Sequence, residues 1–287
     1  MAKPQHGDNS QQAKVSVIIT CHNLGQYIDE AIKSILIQTY QEFEIILVDD
    51  GSTDKRTIEI LENYHQPKTT IIRTNNQGLP CARNNGIKAC TGKYVLPLDA
   101  DDKIGDTYLE KAIRVLEANE NVGIVYCKAE YFGKVNGPWE LQPYRFPDIL
   151  LDNRIFCTAM FRKSDWTKVK GYNPNMVHGW EDYDFWLSLI EFGREVVYIP
   201  ETLFFRRVRS RSMTATMARE QFIYSYTQLF RNHPKLYSEN IDFLFGELLD
   251  LRSKLHHTQK VVRFMELMKF GKLQRLWWSL KRMVKMR

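Results

Sequence analysis

No apolar run in the chain approaches the ~18–20 residues needed to cross a bilayer. Residues 1–12 are polar and lack the apolar core of a secretory leader. Together these absences predict a protein made and kept in the cytoplasm. Cysteine is scarce: Cys21, Cys81, Cys90, Cys127 and Cys157 form an odd set without C-x-x-C spacing. That excludes a disulfide framework, a cysteine zinc site and a dithiol redox pair, and leaves free thiols in a reducing compartment. No G-x-G-x-x-G follows a strand-like run, so a dehydrogenase-type dinucleotide fold has no support. Gly86 to Lys93 resembles a phosphate loop, but it is one residue too long and Tyr94 stands where Ser or Thr should bind metal. His22, His178, His256 and His257 have no ligand spacing with cysteine or each other. Nor is there a strong charge of one sign. The net charge of +6 does not point to nucleic acid, and the seven Lys or Arg residues between Lys269 and Arg287 account for the excess.

What is present is a folded α/β chain, with 44% hydrophobic and 26% charged residues. Short apolar runs at 15–19, 43–48, 70–72, 94–98 and 122–126 alternate with amphipathic segments. In the first of these, Ile28, Ala31, Ile32, Ile35 and Leu36 form a helical stripe. This alternation predicts a mostly parallel central sheet with helices on both faces. The pattern becomes irregular between Gly133 and Asp152. It resumes with apolar segments at 156–161, 196–199 and 203–205 and a helix from about Trp180 to Phe192. Beyond Met217 only helices are expected. The implied organisation is a disordered leader over 1–13, a catalytic domain over 14–215 and a helical C-terminal extension over 216–287.

In open α/β sheets, ligands sit beyond the carboxyl ends of the strands. Thr20 to Asn23 follow the first apolar run, Asp49 to Asp54 the second and Asp99 to Asp102 the fourth. The sequence DDGS at 49–52 also suits a turn with Ser52 or Thr53 as helix cap. Three carboxylates within Asp99–Asp102 repel one another unless a cation or solvent neutralises them. Oxygen-only ligands suit Mg²⁺ or Mn²⁺. Glu181 and Asp182 open a helix, where the macrodipole favours acids. They point about 100° apart, so at most one faces a given atom. Arg206, Arg207, Arg209 and Arg211 surround Ser210 and Ser212, either as a loop closing over a diphosphate or as a solvated arginine face.

These residues resemble family 2 glycosyltransferases with the GT-A fold. The resemblance rests on VSVIITCHN at 15–23, QTY at 38–40, VDDGSTD at 48–54, ARNNG at 82–86, LDADD at 98–102 and GWED at 179–182. It covers about residues 14–215. It implies that Thr20 and Asp50 hold a nucleoside, with Asn23 and Arg83 nearby, and that Asp99 and Asp101 bind Mn²⁺ or Mg²⁺ and the donor diphosphate, with Asp102 as a third candidate. It further implies that Asp182 is the catalytic base and that Arg207, Arg209, Ser212 and Met213 belong to a loop over the donor phosphates. His22 stands where the family usually has Tyr, and Val208 where some members have a histidine metal ligand.

The chemistry expected is inverting transfer from a nucleotide sugar, UDP by family prevalence, to the hydroxyl of a glycan or lipid-linked glycan in surface polysaccharide or lipopolysaccharide synthesis. Trp180 and Glu181 are expected on the acceptor side, with Trp139 a second candidate stacking platform. Two other readings compete. A sugar nucleotidyltransferase usually needs a basic glycine-rich loop after the first strand, which Cys21 to Gly25 does not provide. A non-catalytic nucleotide-sugar-binding protein would not need Asp99, Asp101 and Asp182 together. In the tail, Phe270, Leu273, Leu276, Trp277, Leu280, Met283 and Val284 form a helical apolar stripe among cations. Residues 268–287 therefore suit either an anionic membrane surface or docking on the protein itself.

Overall fold

The computed structural model describes residues 14–209 and 217–284, with side chains for all of these except 265 and 267–284. The chain divides into two compact units, Met1–Leu236 and Tyr237–Arg287. The first contains the whole sheet.

The uninterrupted apolar runs become strands buried on both faces. β1 (Val15–Cys21) is buried at every position and lies between β2 (Phe43–Asp50) and β4 (Tyr94–Asp99), parallel to both. β3 (Thr69–Thr74) continues the parallel half beyond β2. The helices between them are α1 (Gly25–Leu36), α2 (Lys55–Glu62) and α3 (Leu79–Ala89). The α1 stripe buries Ile28, Ala31, Ile32 and Ile35 as its spacing requires. The cap of α2 is neither Ser52 nor Thr53. Asp54 fills that place, its carboxylate accepting from Thr57 N at 2.9 Å. Gly86 sets how close α3 comes to the sheet, since a Cβ there would stand 2.4 Å from Ile18 Cγ2.

The second half of the sheet is mixed. Its members are β5 (Lys103–Ile104), β6 (Val122–Gly133), β7 (Gly137–Trp139), β8 (Met160–Arg162) and β9 (Glu195–Val208). The order is β3-β2-β1-β4-β8-β6-β9-β5, with β7 on β6. β8 runs antiparallel to β4 and β6, whereas β6 and β9 are parallel. The apolar segments at 196–199 and 203–205 are one strand. The register passes from Cys127↔Ile199 to Lys128↔Thr202, so Pro200 and Glu201 are absorbed in an irregularity. α4 (Tyr108–Ala118), α5 (Lys163–Lys168), α6 (Glu181–Glu191) and α7 (Arg219–Asn232) complete this unit, and α8 (Pro234–Glu239) follows α7.

The second unit is dominated by one helix, α9 (Ile241–Val284). Among the described residues, no helix is long and apolar enough to cross a membrane. The tail stripe from Phe270 to Val284 lies in side chains outside the described residues.

Candidate active site

The carboxyl ends of β1, β2 and β4 open onto a crevice of about 920 Å³, toward the upper end of ordinary ligand pockets. The opposite wall comes from the start of α6, the end of β9 and the 131–157 segment.

At the strand ends, Thr20, His22, Asp50, Arg83, Asp99, Asp101 and Asp102 all line the crevice. Asp50 is held by the loop before α3, accepting from Gln77 N at 3.1 Å, Gly78 N at 3.0 Å and Thr74 Oγ1 at 3.2 Å. Gly51 lets that loop approach. Its φ is +68°, and a Cβ would meet Asn76 N at 2.5 Å. Asn23 is not among the lining residues. Its Oδ1 accepts from Thr53 N and Asp54 N, both at 2.8 Å, fixing the turn after β2.

Arg83 is fully buried and joins two parts of the site. Its Nη2 donates to Asp99 Oδ1 at 3.0 Å and its Nη1 to Glu181, while its Nε has no hydrogen-bond partner. Thr20 Oγ1 reaches the same Asp99 oxygen at 3.4 Å. Asp101 faces Arg209, with Oδ2 2.5 Å from Nε. Burial, with Asp99 adding like charge, raises the Asp101 carboxyl against the pull of Arg209. Asp102 is raised further by burial and by Asp101 and Asp99, although its Oδ1 accepts from Arg207 N at 2.8 Å. Among the described residues, no group of three or more His, Cys, Asp or Glu side chains forms a metal cluster.

The arginines divide by strand alternation. Arg207 Nε donates to Asp101 O at 2.8 Å, and its guanidinium pairs with Glu30 and lies over Phe132 and Tyr27. Arg206 turns to the other face and lies 4.7 Å from the Trp139 ring. Ser210, Arg211, Ser212 and Met213 lie outside the described residues.

Across the crevice, Gly179 (φ +103°) and Trp180 (φ +67°) turn the chain into α6. A bulky residue in left-handed backbone is uncommon, and this one directly precedes the two acids. Glu181 is buried and committed to Arg83. Asp182 is half-buried in the crevice wall. Its Oδ1 accepts from its neighbour Tyr183 N at 2.8 Å, and Oδ2 has only Asn153 at 3.5 Å. The helix start favours ionised carboxylates, and burial works against it, raising both carboxyls while Arg83 pulls the other way. Trp180 packs edge-on against Tyr183, Phe222 and Tyr226, and Trp139 stacks on Tyr131 at 5.3 Å. Asn153 and Cys157, whose Sγ lies 3.8 Å from Asp99 Oδ2, are site neighbours that sequence reasoning missed.

Residues 16–171 match the family model described as Glycosyl transferase family 2. An uncharacterized glycosyltransferase of Methanocaldococcus jannaschii is 30% identical, over 75% of this chain and 78% of its own. The putative glycosyltransferase EpsE of Bacillus subtilis is 32% identical, over 74% and 78%. The structure of S. aureus TarS 1–349 in complex with UDP-GlcNAc superposes with a TM-score of 0.65 at 20% identity, over 77% of this chain and 67% of that one, a likeness of fold. The chain belongs to glycosyl transferase family 2 and has a GT-A-like α/β fold. Membership carries its general chemistry, sugar transfer from a nucleotide-sugar donor.

Proposed function

We propose that the chain inverts the anomeric centre in a single displacement, with Asp182 as base and donor phosphates bound at Asp99 and Asp101. The observation that carries this reading is Arg83, which ties the donor-side Asp99 to the acid pair opening α6 and so holds both halves of a displacement in one crevice. Glu181 is consumed by that tie. Asp182 keeps an oxygen with a single long contact in the crevice wall, whereas the Glu181 carboxylate is spent on Arg83, so the geometry leaves Asp182 free to take a proton.

The donor set fits Mg²⁺ or Mn²⁺. Asp99, Asp101 and Asp102 are oxygen-only, and two of them are raised by burial and by like charge that a cation would relieve. Such ions are commonly held by one or two carboxylates plus substrate phosphates, so two side chains suffice. When bound, the cation offsets the charge that develops on the leaving diphosphate. Arg209 contributes a second positive charge beside Asp101. Thr20 and Asp50 line the crevice and in this reading hold the nucleoside. UDP is the proposed nucleotide. Solved TarS complexes with UDP and UDP-GlcNAc share the fold.

The acceptor is a hydroxyl of a glycan or lipid-linked glycan destined for a surface polysaccharide. Docking of residues 268–287 on anionic lipid at the inner face of a membrane suits that role, and their removal should release the protein from anionic vesicles. The reaction itself is tested by incubating purified protein with a UDP-sugar panel and Mn²⁺. Slow UDP release, abolished by EDTA and restored by Mn²⁺, supports the reading. Release unaffected by EDTA refutes the metal assignment, and no release from any donor refutes the UDP assignment.

A further inference from the structure

The long helix of the second unit carries a pattern that sugar transfer does not use. From Ile241 one set of apolar residues recurs at alternating intervals of three and four: Ile241, Leu244, Leu248, Leu251, Leu255 and, after Thr258, Val262, with Phe243, Phe245, Leu249 and Val261 off that line. These are the a and d positions of a heptad repeat sustained over three heptads, the signature of a coiled-coil seam. The helix buries little of this seam itself. Ile241, Leu248, Leu251, Leu255 and Val262 are between 41% and 65% exposed. A helix in water is held mostly by packing of its apolar face, so a seam this open needs a partner.

We propose that α9 pairs with α9 of a second copy of this chain as a parallel two-stranded coiled coil over residues 241–262. Three features select this occupant. The a positions carry Ile241, Leu248, Leu255 and Val262 over Leu244 and Leu251 at d, and the β-branched residues at the two outer a positions over Leu at d favour two parallel strands. Thr258, at a d position, donates its hydroxyl to Lys254 O at 2.9 Å, so its polar atom is satisfied within its own helix. The flanking charges are complementary. Glu247 stands at g and Arg252 at the following e, the positions that meet across a parallel dimer. Both are exposed, and neither is ion-paired among the described residues. Within one helix they are five apart and do not meet. At the next flank Lys254 would face Gln259, so no like charges are opposed.

The test uses the full chain in sedimentation equilibrium. The wild type should give twice the monomer mass of 33.8 kDa, and Leu248→Asp with Leu255→Asp should return it to the monomer with UDP-sugar turnover unchanged. Both leucines are solvent-facing, so the substitutions spare folding. Glu247→Arg alone and Arg252→Glu alone should each weaken dimerisation on the order of tenfold, and the two together should restore it. A wild type that is monomeric throughout overturns the proposal, whether or not it binds phosphatidylserine vesicles through these leucines. So does a trimer or larger, a dimer indifferent to the leucine pair, or a double charge reversal that fails to restore affinity.

Discussion

At the amino ends of β1 and β2, Glu44 accepts hydrogen bonds from Ser16 Oγ at 2.7 Å, Thr91 N at 2.6 Å and Thr91 Oγ1 at 2.8 Å, with Lys14 beside it. Burial pushes its carboxyl up, but these donors win and bring it down to about 2. At the carboxyl ends of the neighbouring strands, Asp101 and Asp102 are raised, as is Asp182 across the crevice, because burial and like charge exceed what the protein supplies. The same sheet thus finishes one edge with a satisfied carboxylate and leaves the other short of positive charge. The first arrangement stabilises the fold. On the proposed reading the second is completed by substrate and cation, since a deficit of this kind is characteristic of working sites.

Breaking the buried Arg83 cation at the carboxyl edge should have the largest effect. Arg83→Met leaves Asp99 and Glu181 without their shared partner, and should cost about 3–5 kcal/mol in denaturant unfolding. Asp101→Ala should lower turnover ~10²–10³-fold and abolish Mn²⁺-dependent UDP binding, measured by calorimetry, while relieving charge and leaving the melting temperature at or above wild type. Loss of stability in that variant would mean that Asp101 is structural, like Glu44.

At the amino edge, Glu44→Gln should cost about 1–2 kcal/mol at pH 7, the full shift discounted for partial exposure, with turnover unchanged. The folded carboxyl lies below its unfolded value, so its contribution is present above about pH 4.5 and disappears as pH falls toward 2. Urea unfolding at pH 7 and pH 3 should therefore show the wild type and Glu44→Gln converging. The smallest effect is expected from Asn153→Ala. A 3.5 Å contact holds Asp182 weakly, so turnover should change less than about threefold and folding hardly at all.

Much of this contrast was legible in the sequence. Buried parallel strands read as unbroken apolar runs, and Asp50 and Asp99 fall where those runs end. The partnership of Arg83 with Glu181 was not legible, because 98 residues separate them and α3 and α6 meet only through the fold. The mixed half of the sheet was harder still. Its strands are short or carry irregularities, and Asn153 and Trp139 lie in the aperiodic stretch that follows β6. Reading β9 as one strand would have separated Arg206 from Arg207, since a period of two sends neighbours to opposite faces. Pro200 and Glu201 hid that period. The family resemblance sets Asn23 near the nucleoside, whereas its amide oxygen is spent on the turn after β2, a contact that only the fold reveals.

In the proposed mechanism Asp182 is the base and Glu181 holds Arg83. The most direct measurement compares UDP-sugar turnover and UDP affinity in Asp182→Asn and Glu181→Gln. Asp182→Asn keeps size and hydrogen-bonding capacity but cannot take the acceptor proton. Its turnover should fall ~10²–10⁴-fold, with UDP affinity nearly unchanged. Glu181→Gln should lose stability as well as rate, because it unpairs Arg83. Near wild-type turnover in Asp182→Asn, with the loss confined to Glu181→Gln, would contradict the account.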